Sequence, residues 1–199
     1  MLRAIRSVLG AAAILFGGAL LAQPKESPQA EGYFPLKKGT KWTYKVGDNV
    51  VEVVVVKGEK PGDEYQVDTF VGKDPKTTEW YVVKADGVYR TKVKDDKLDP
   101  YVKVLALPVK KDTTWDINSK VGTQTIKGTM KVISEKEKIK TPAGDFEAVF
   151  VEGKDMDIAG AKTTVRIWFA KDRGIVKEEF ILQTNEKVLL ELTKFEEAK

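Results

Sequence analysis

Chemistry in this chain falls to carboxylates, lysines, hydroxyls and aromatic rings, because it contains no histidine and no cysteine. That double absence excludes Ser-His-Asp and Cys-His nucleophile systems, zinc held by His or Cys, haem on a protein imidazole or thiolate, and disulfides. It also removes the usual proton shuttle near neutral pH. No enzyme activity, cofactor or metal is expected on this ground.

Paired carboxylates occur at Asp95-Asp96, at Asp155 with Asp157, and at Glu178-Glu179. Adjacent residues on a strand point to opposite sides, so the first and third pairs are poor general acid–base couples. Asp155 and Asp157 would share a face if that stretch is extended. The run Asp155-Met156-Asp157-Ile158-Ala159-Gly160 resembles the start of a calcium loop. The match breaks at Ala159, the fifth position, and at Arg166, where the twelfth needs a bidentate Glu. No P-loop, dinucleotide-binding glycine pattern or nucleophile elbow is present.

Aromatics are the remaining candidates. Trp42, Trp80, Trp115 and Trp168, with Tyr33, Tyr44, Tyr65, Tyr81 and Tyr101, fall mostly in strand-like segments. Such rings either fill a β core or line a cavity for an apolar ligand. Trp168 stands out because its neighbour on the same strand face is Arg166, not another hydrophobe. Trp80, Arg166 and Trp168 are therefore the nominated ligand-binding residues.

The elements that must position them read as strand after strand. Candidate strands are Trp42–Val46, Val50–Lys57, Glu64–Val71, Thr78–Val83, Val88–Val93, Tyr101–Leu107, Thr114–Ile117, Thr123–Ile133, Phe146–Val151, Thr163–Ala170, Ile175–Leu182 and Lys187–Phe195. Turn signals separate them, among them Asp86-Gly87, Pro142-Ala143-Gly144-Asp145 and Asp172-Arg173-Gly174. Ser134–Lys140 is too short for a helix and extends the strand before it. Short connections favour antiparallel neighbours.

Alternation separates two faces. Val165, Ile167 and Phe169 oppose Arg166 and Trp168, while Trp80 and Val82 oppose Tyr81 and Val83. In Val50–Val56 both faces are largely valine. A sheet that is apolar on two sides curls over its own core or lines a cavity. The fold class is thus all-β: a single strongly curved antiparallel sheet of eleven or twelve strands, half-open or closed into a barrel.

Ahead of this domain, Arg3 and Arg6 precede an apolar run from Val8 to Ala22. The run is shorter than the roughly 20 residues a spanning helix needs, so 1–22 reads as a secretory signal peptide. Gln23 stands where a lipoprotein signal carries its acylated cysteine. The expectation is a soluble exported protein, periplasmic or extracellular, without a stable membrane anchor. Residues 23–32, polar and rich in Pro, Ser and Gly, read as a disordered leader. A single domain then occupies 33–199. The net charge of +4 falls further once Arg3 and Arg6 leave, and lysines alternate with acids, so nucleic acid is not an expected partner.

Three segments are familiar. Tyr33-Phe34-Pro35-Leu36-Lys37-Lys38-Gly39-Thr40-Lys41-Trp42-Thr43-Tyr44 resembles the YxPLxxGxxWxY opening of exported bacterial β proteins of unassigned function. Thr141-Pro142-Ala143-Gly144-Asp145-Phe146-Glu147-Ala148 resembles their central TPAGxFxA turn. Trp168-Phe169-Ala170-Lys171-Asp172-Arg173-Gly174-Ile175-Val176-Lys177 is similar to their late WYAxGxGxVK hairpin. The resemblance implies a large curved antiparallel sheet, comparable to the half-open barrels of periplasmic lipoprotein carriers, and no catalytic residues. Unlike those carriers, this chain shows no clear helix to plug such a barrel.

The expected function is a non-enzymatic cell-envelope protein that binds an apolar small molecule or an envelope protein on its concave sheet face. The alternatives are an interaction scaffold with a filled core and a hydrolase working with carboxylates alone.

Overall fold

The computed structural model describes residues 32–58, 60 and 62–198. The signal segment expected over 1–22 lies outside them, as does all of the leader except Gly32. Twelve strands follow in order: β1 (Lys41–Val46), β2 (Asn49–Lys57), β3 (Tyr65–Val71), β4 (Asp74–Lys84), β5 (Gly87–Val93), β6 (Asp96–Ala106), β7 (Thr114–Val121), β8 (Gln124–Thr141), β9 (Gly144–Ile158), β10 (Ala161–Ala170), β11 (Gly174–Leu182) and β12 (Lys187–Glu196). Each pairs antiparallel with the next, and β1 pairs with β12, so the sheet closes into a barrel. Of the two shapes left open by the sequence, the chain takes the closed one. Closure pairs both edges of the sheet, which otherwise would expose unpaired backbone groups.

Several strands outrun their expected lengths: β4 begins at Asp74 and not Thr78, β6 at Asp96 and not Tyr101, and β7 runs to Val121 and not Ile117. β8 continues through Ser134–Lys140 as anticipated, but β9 also continues past Val151 to Ile158. The two form a long hairpin with register shifts at Val132/Ser134 and Ser134/Glu137. Bulges of this kind bend a strand and let a sheet curl. The turn at its tip behaves as its composition demands: Gly144 has φ of 133°, a region that side chains rarely adopt. The tip reaches across to β12, where Ala143 N–H donates to the Leu192 carbonyl at 2.9 Å.

The barrel wall is thinnest between β6 and β7. Only Leu98↔Val121 and Asp99↔Lys120 pair there, whereas β7 and β8 pair along eight positions. Pro100 follows directly and has no N–H to contribute. Farther along, the indole of Trp115 donates to the Lys103 carbonyl at 2.9 Å and bridges the gap.

The segment before β1 closes the end of the barrel at which β1 begins. Phe34 is buried with its ring 5.1 Å from Tyr81 and 6.4 Å from Phe169. Leu36 is buried beside it. Trp42 donates its indole N–H to the Arg173 carbonyl, and Asp172 N–H donates to the Gly32 carbonyl. These bonds tie the Tyr33–Tyr44 segment to the β10–β11 turn, so two of the three familiar segments meet at one end of the barrel. Val55, Val88, Leu105, Val149, Val151 and Phe169 are almost wholly buried in the packed interior.

Candidate functional site

Above Phe34 the interior is hollow. A cavity of about 370 Å³ runs along the barrel and is lined by at least one residue from every strand. This falls inside the range of ligand pockets, about 300–1,000 Å³. Most of the wall is aliphatic or aromatic, including Val53, Val67, Ile126, Ile158, Phe180 and Leu190. Alternation explains the composition, because one face of every strand must point inward. Gly153 also shapes the wall: a Cβ there would stand 2.4 Å from the sulfurs of both Met130 and Met156. A side chain there would force both cavity-lining methionines to shift from their present positions.

Four charged residues line this apolar lumen; Lys103 gives its ammonium to Asp86 at 2.8 Å, and the other three cluster with Tyr81. Glu79 and Tyr81 project from β4, Arg90 from β5 and Glu178 from β11. Arg90 Nη1 donates to Glu79 Oε1 at 2.7 Å, and the Tyr81 hydroxyl donates to Glu79 Oε2 at 2.9 Å. Both members of the ion pair keep some accessible surface, 27% for Arg90 and 21% for Glu79. Since both line the cavity, that surface faces the lumen. Arg90 Nε is buried and has no hydrogen-bond partner among the described residues. Tyr44 donates to the Ile175 carbonyl at 2.8 Å.

Glu178 differs from Glu79. No side-chain or backbone donor reaches it among the described residues. Burial, and then repulsion from Glu79, pushes its carboxyl up to about 7, with Arg90 pulling weakly the other way. Burial also raises the hydroxyls of Tyr44 and Tyr81, helped by Glu178 and Glu79 respectively. Arg90 stays charged: burial works against its guanidinium, but the neighbouring Glu79 outweighs that and holds it above its ordinary value.

None of the three nominated residues lines this cavity. Glu79 and Tyr81 point inward, so Trp80 between them points outward, where Lys57 and Lys92 sit 5.7 Å and 5.5 Å from its ring. Val165 and Ile167 line the lumen, so Arg166 and Trp168 also take the outer face. Arg166 donates to Glu152 at 2.8 Å and to Glu179 at 3.0 Å. Trp168 stacks on Phe150 with centroids 4.7 Å apart and donates to Glu137 at 3.1 Å. Arg166 and Trp168 therefore both lie outside the lumen, and Trp168 is buried there against Phe150. Trp80 is on the opposite wall, since β4 and β10 stand six places apart in the ring of twelve.

The sequence reading separated the two faces of these strands correctly and then nominated the outward one. Glu79, Arg90 and Glu178 were missed. Their signal was a charge among hydrophobes on one face, as in Val176, Glu178 and Phe180. Glu178-Glu179 does split across the sheet as expected, Glu178 inward and Glu179 outward onto Arg166. Asp155 and Asp157 form no site: Asp155 sits at φ of 49°, and Asp157 accepts from the Gly160 N–H at the β9–β10 turn.

With this geometry in hand, the barrel can be compared with known proteins. No protein-family model matches the chain, and no curated protein does. Among solved structures, it is similar to a Bacteroides fragilis protein provisionally described as exported, with a YmcC-like fold. The TM-score is 0.58 at 14% identity, covering 83% of this chain and 99% of that one. A second, from Parabacteroides distasonis and provisionally described as a lipoprotein, matches with a TM-score of 0.47 at 14% identity, covering 83% of this chain and 98% of that one. At this identity the first likeness speaks for the fold alone. The chain is an antiparallel twelve-stranded barrel of that type.

Proposed function

We propose that this protein is a non-enzymatic, exported, water-soluble barrel that holds an apolar ligand in its lumen. The observation that carries the reading is the cavity of about 370 Å³ walled by aliphatic and aromatic side chains. A core that served only as scaffold would be packed to the density of an organic crystal. A void of this size has lost those contacts and is kept at a cost to stability. The outer face supports a water-exposed barrel, because strand positions such as Glu52, Lys131 and Lys194 carry solvent-accessible charges in ion pairs. A lipid-facing band would not tolerate such charges. Export is supported by the signal-like segment over 1–22 and by the description of the Bacteroides relative.

A carboxylate-only hydrolase has one observation in its favour. Glu79 and Glu178 share the lumen in different environments, one paired with Arg90 and one unpaired. The apolar wall speaks against it, because a sugar site needs many hydrogen-bonding groups around the scissile bond.

Binding of the apolar fluorophore N-phenyl-1-naphthylamine tests the leading reading. The protein should enhance its emission, and Ile126→Trp or Val53→Trp, each placing a large ring in the lumen, should abolish the enhancement. If both variants keep a native circular dichroism spectrum and still bind the dye, the lumen is not the site. Release of an aryl-glycoside chromophore that disappears in Glu178→Gln would favour the hydrolase instead.

A further inference from the structure

Glu178 is the one charged side chain of the lumen that no donor reaches among the described residues. Glu79 is occupied twice over, by Arg90 and by Tyr81. The hydroxyl of Tyr44 is given to the Ile175 carbonyl. Glu178 thus presents a free acceptor to a space whose remaining wall is mostly apolar. A carboxylate that keeps accessible surface toward a mostly apolar space is placed to meet a polar or charged group of whatever occupies that space.

We propose that the lumen takes an amphipathic cation, an apolar chain ending in an ammonium group that Glu178 holds. This rests on the lumen being a ligand site and names what that ligand carries.

Charge balance selects the sign. Glu79 and Arg90 cancel each other, which leaves Glu178 as the net charge of the cluster. An ammonium group restores neutrality in a region where an uncompensated charge is costly. An anion would need a donor, and the candidate is Arg90. Its Nη1 is already committed to Glu79 and its Nε is buried, so only Nη2 is left to meet an anion, and the charge of Arg90 is already balanced by Glu79. A carboxylate ligand would also add a second uncompensated negative charge beside Glu178. The groups facing Glu178 across the lumen are Glu79 and Tyr81 on β4 and Arg90 on β5, with Tyr44 on β1. Its ladder neighbours are Ile167 on β10 and Leu190 on β12, neither of which titrates. The rest of the cavity wall, including Ile126, Ile158 and Phe180, accepts the apolar chain.

Isothermal titration with three probes of equal length tests this: dodecylammonium, dodecanol and dodecanoate, each below its micelle concentration. Near pH 8, about one unit above the value for Glu178, its carboxylate is ionised. Dodecylammonium should then bind about ten-fold or more tighter than dodecanol, the margin of a charge-assisted contact in a partly desolvated site, with dodecanoate weakest. Glu178→Gln should remove the preference and leave dodecanol binding in place. Should that variant fold poorly, the native protein supplies the same answer, because the preference should shrink as pH falls below about 7. Equal affinity for the amine and the alcohol overturns the cation and leaves the lumen reading standing. So does a preference for dodecanoate, or an amine preference that survives Glu178→Gln. Failure of all three probes to bind overturns both readings.

Discussion

Glu178 faces Arg90 from the opposite wall of the barrel, their strands β11 and β5 standing six places apart in the ring of twelve. Two residues separated by half a circumference thus share one electrostatic environment, because the lumen between them is narrow and mostly apolar.

The raised carboxyl of Glu178 makes stability depend on pH. Its ordinary value is 4.5 and its folded value about 7, so between these the folded chain holds a proton that the unfolded chain has released. Stability therefore falls as pH rises through that window, by about 1–3 kcal/mol in all. Glu178→Gln should flatten this dependence and be the more stable protein near pH 8. Urea unfolding midpoints on both sides of the window read the effect directly.

Removing the cation should hurt more than removing the pair. Arg90→Met leaves Glu79 with only Tyr81 as a donor and pushes Glu178 up further. The expected loss is about 2–4 kcal/mol, the penalty of a charge left unpaired in a desolvated place. The double variant Glu79→Gln with Arg90→Met should recover most of it. Denaturant midpoints of the two single variants and the double variant form the cycle that decides.

The outer tryptophans should matter for stability and not for the lumen. Trp168→Ala removes the stack on Phe150 and the bond to Glu137, at a cost of about 3–5 kcal/mol. Trp80→Ala loses two lysine–ring contacts worth about 0.5–1 kcal/mol each. Neither should weaken naphthylamine binding by more than a small factor. A large loss in a variant that still melts cooperatively would reinstate the outer face as a ligand site.

Hydrogen exchange should find the weakest point of the wall at the β6–β7 seam. Past Asp99↔Lys120 the ladder stops, and among the described residues the Trp115 indole is what bridges to Lys103. Seam-facing amides of Tyr101–Ala106 should exchange faster than any mid-strand amides of β8–β11, and Trp115→Phe should speed them further. Equal protection around the ring would show the seam to be as tight as the rest.

Much of the architecture was legible from local patterns. β-branched runs, Asp86-Gly87 and Pro142-Ala143-Gly144 placed twelve strands near their observed positions, because strand propensity and turn chemistry act over a few residues. The extension of β9 past Val151 was not legible. Gly153 and the charged residues around it look like an interruption, and their place in the ladder depends on pairing with β8 and β10.

Alternation along each strand determined which residues share a face, since side chains in a strand have a period of two. It could not determine which face turns inward. That depends on the sense in which the sheet curls and on where β12 meets β1, and both belong to the closed ring. So Trp168 and Arg166, conspicuous in sequence, went outside, while Glu79, Arg90 and Glu178 were brought from three separate strands into one lumen. Their meeting is a long-range event, set when the barrel closes and gathers a charged cluster inside a mostly apolar lumen.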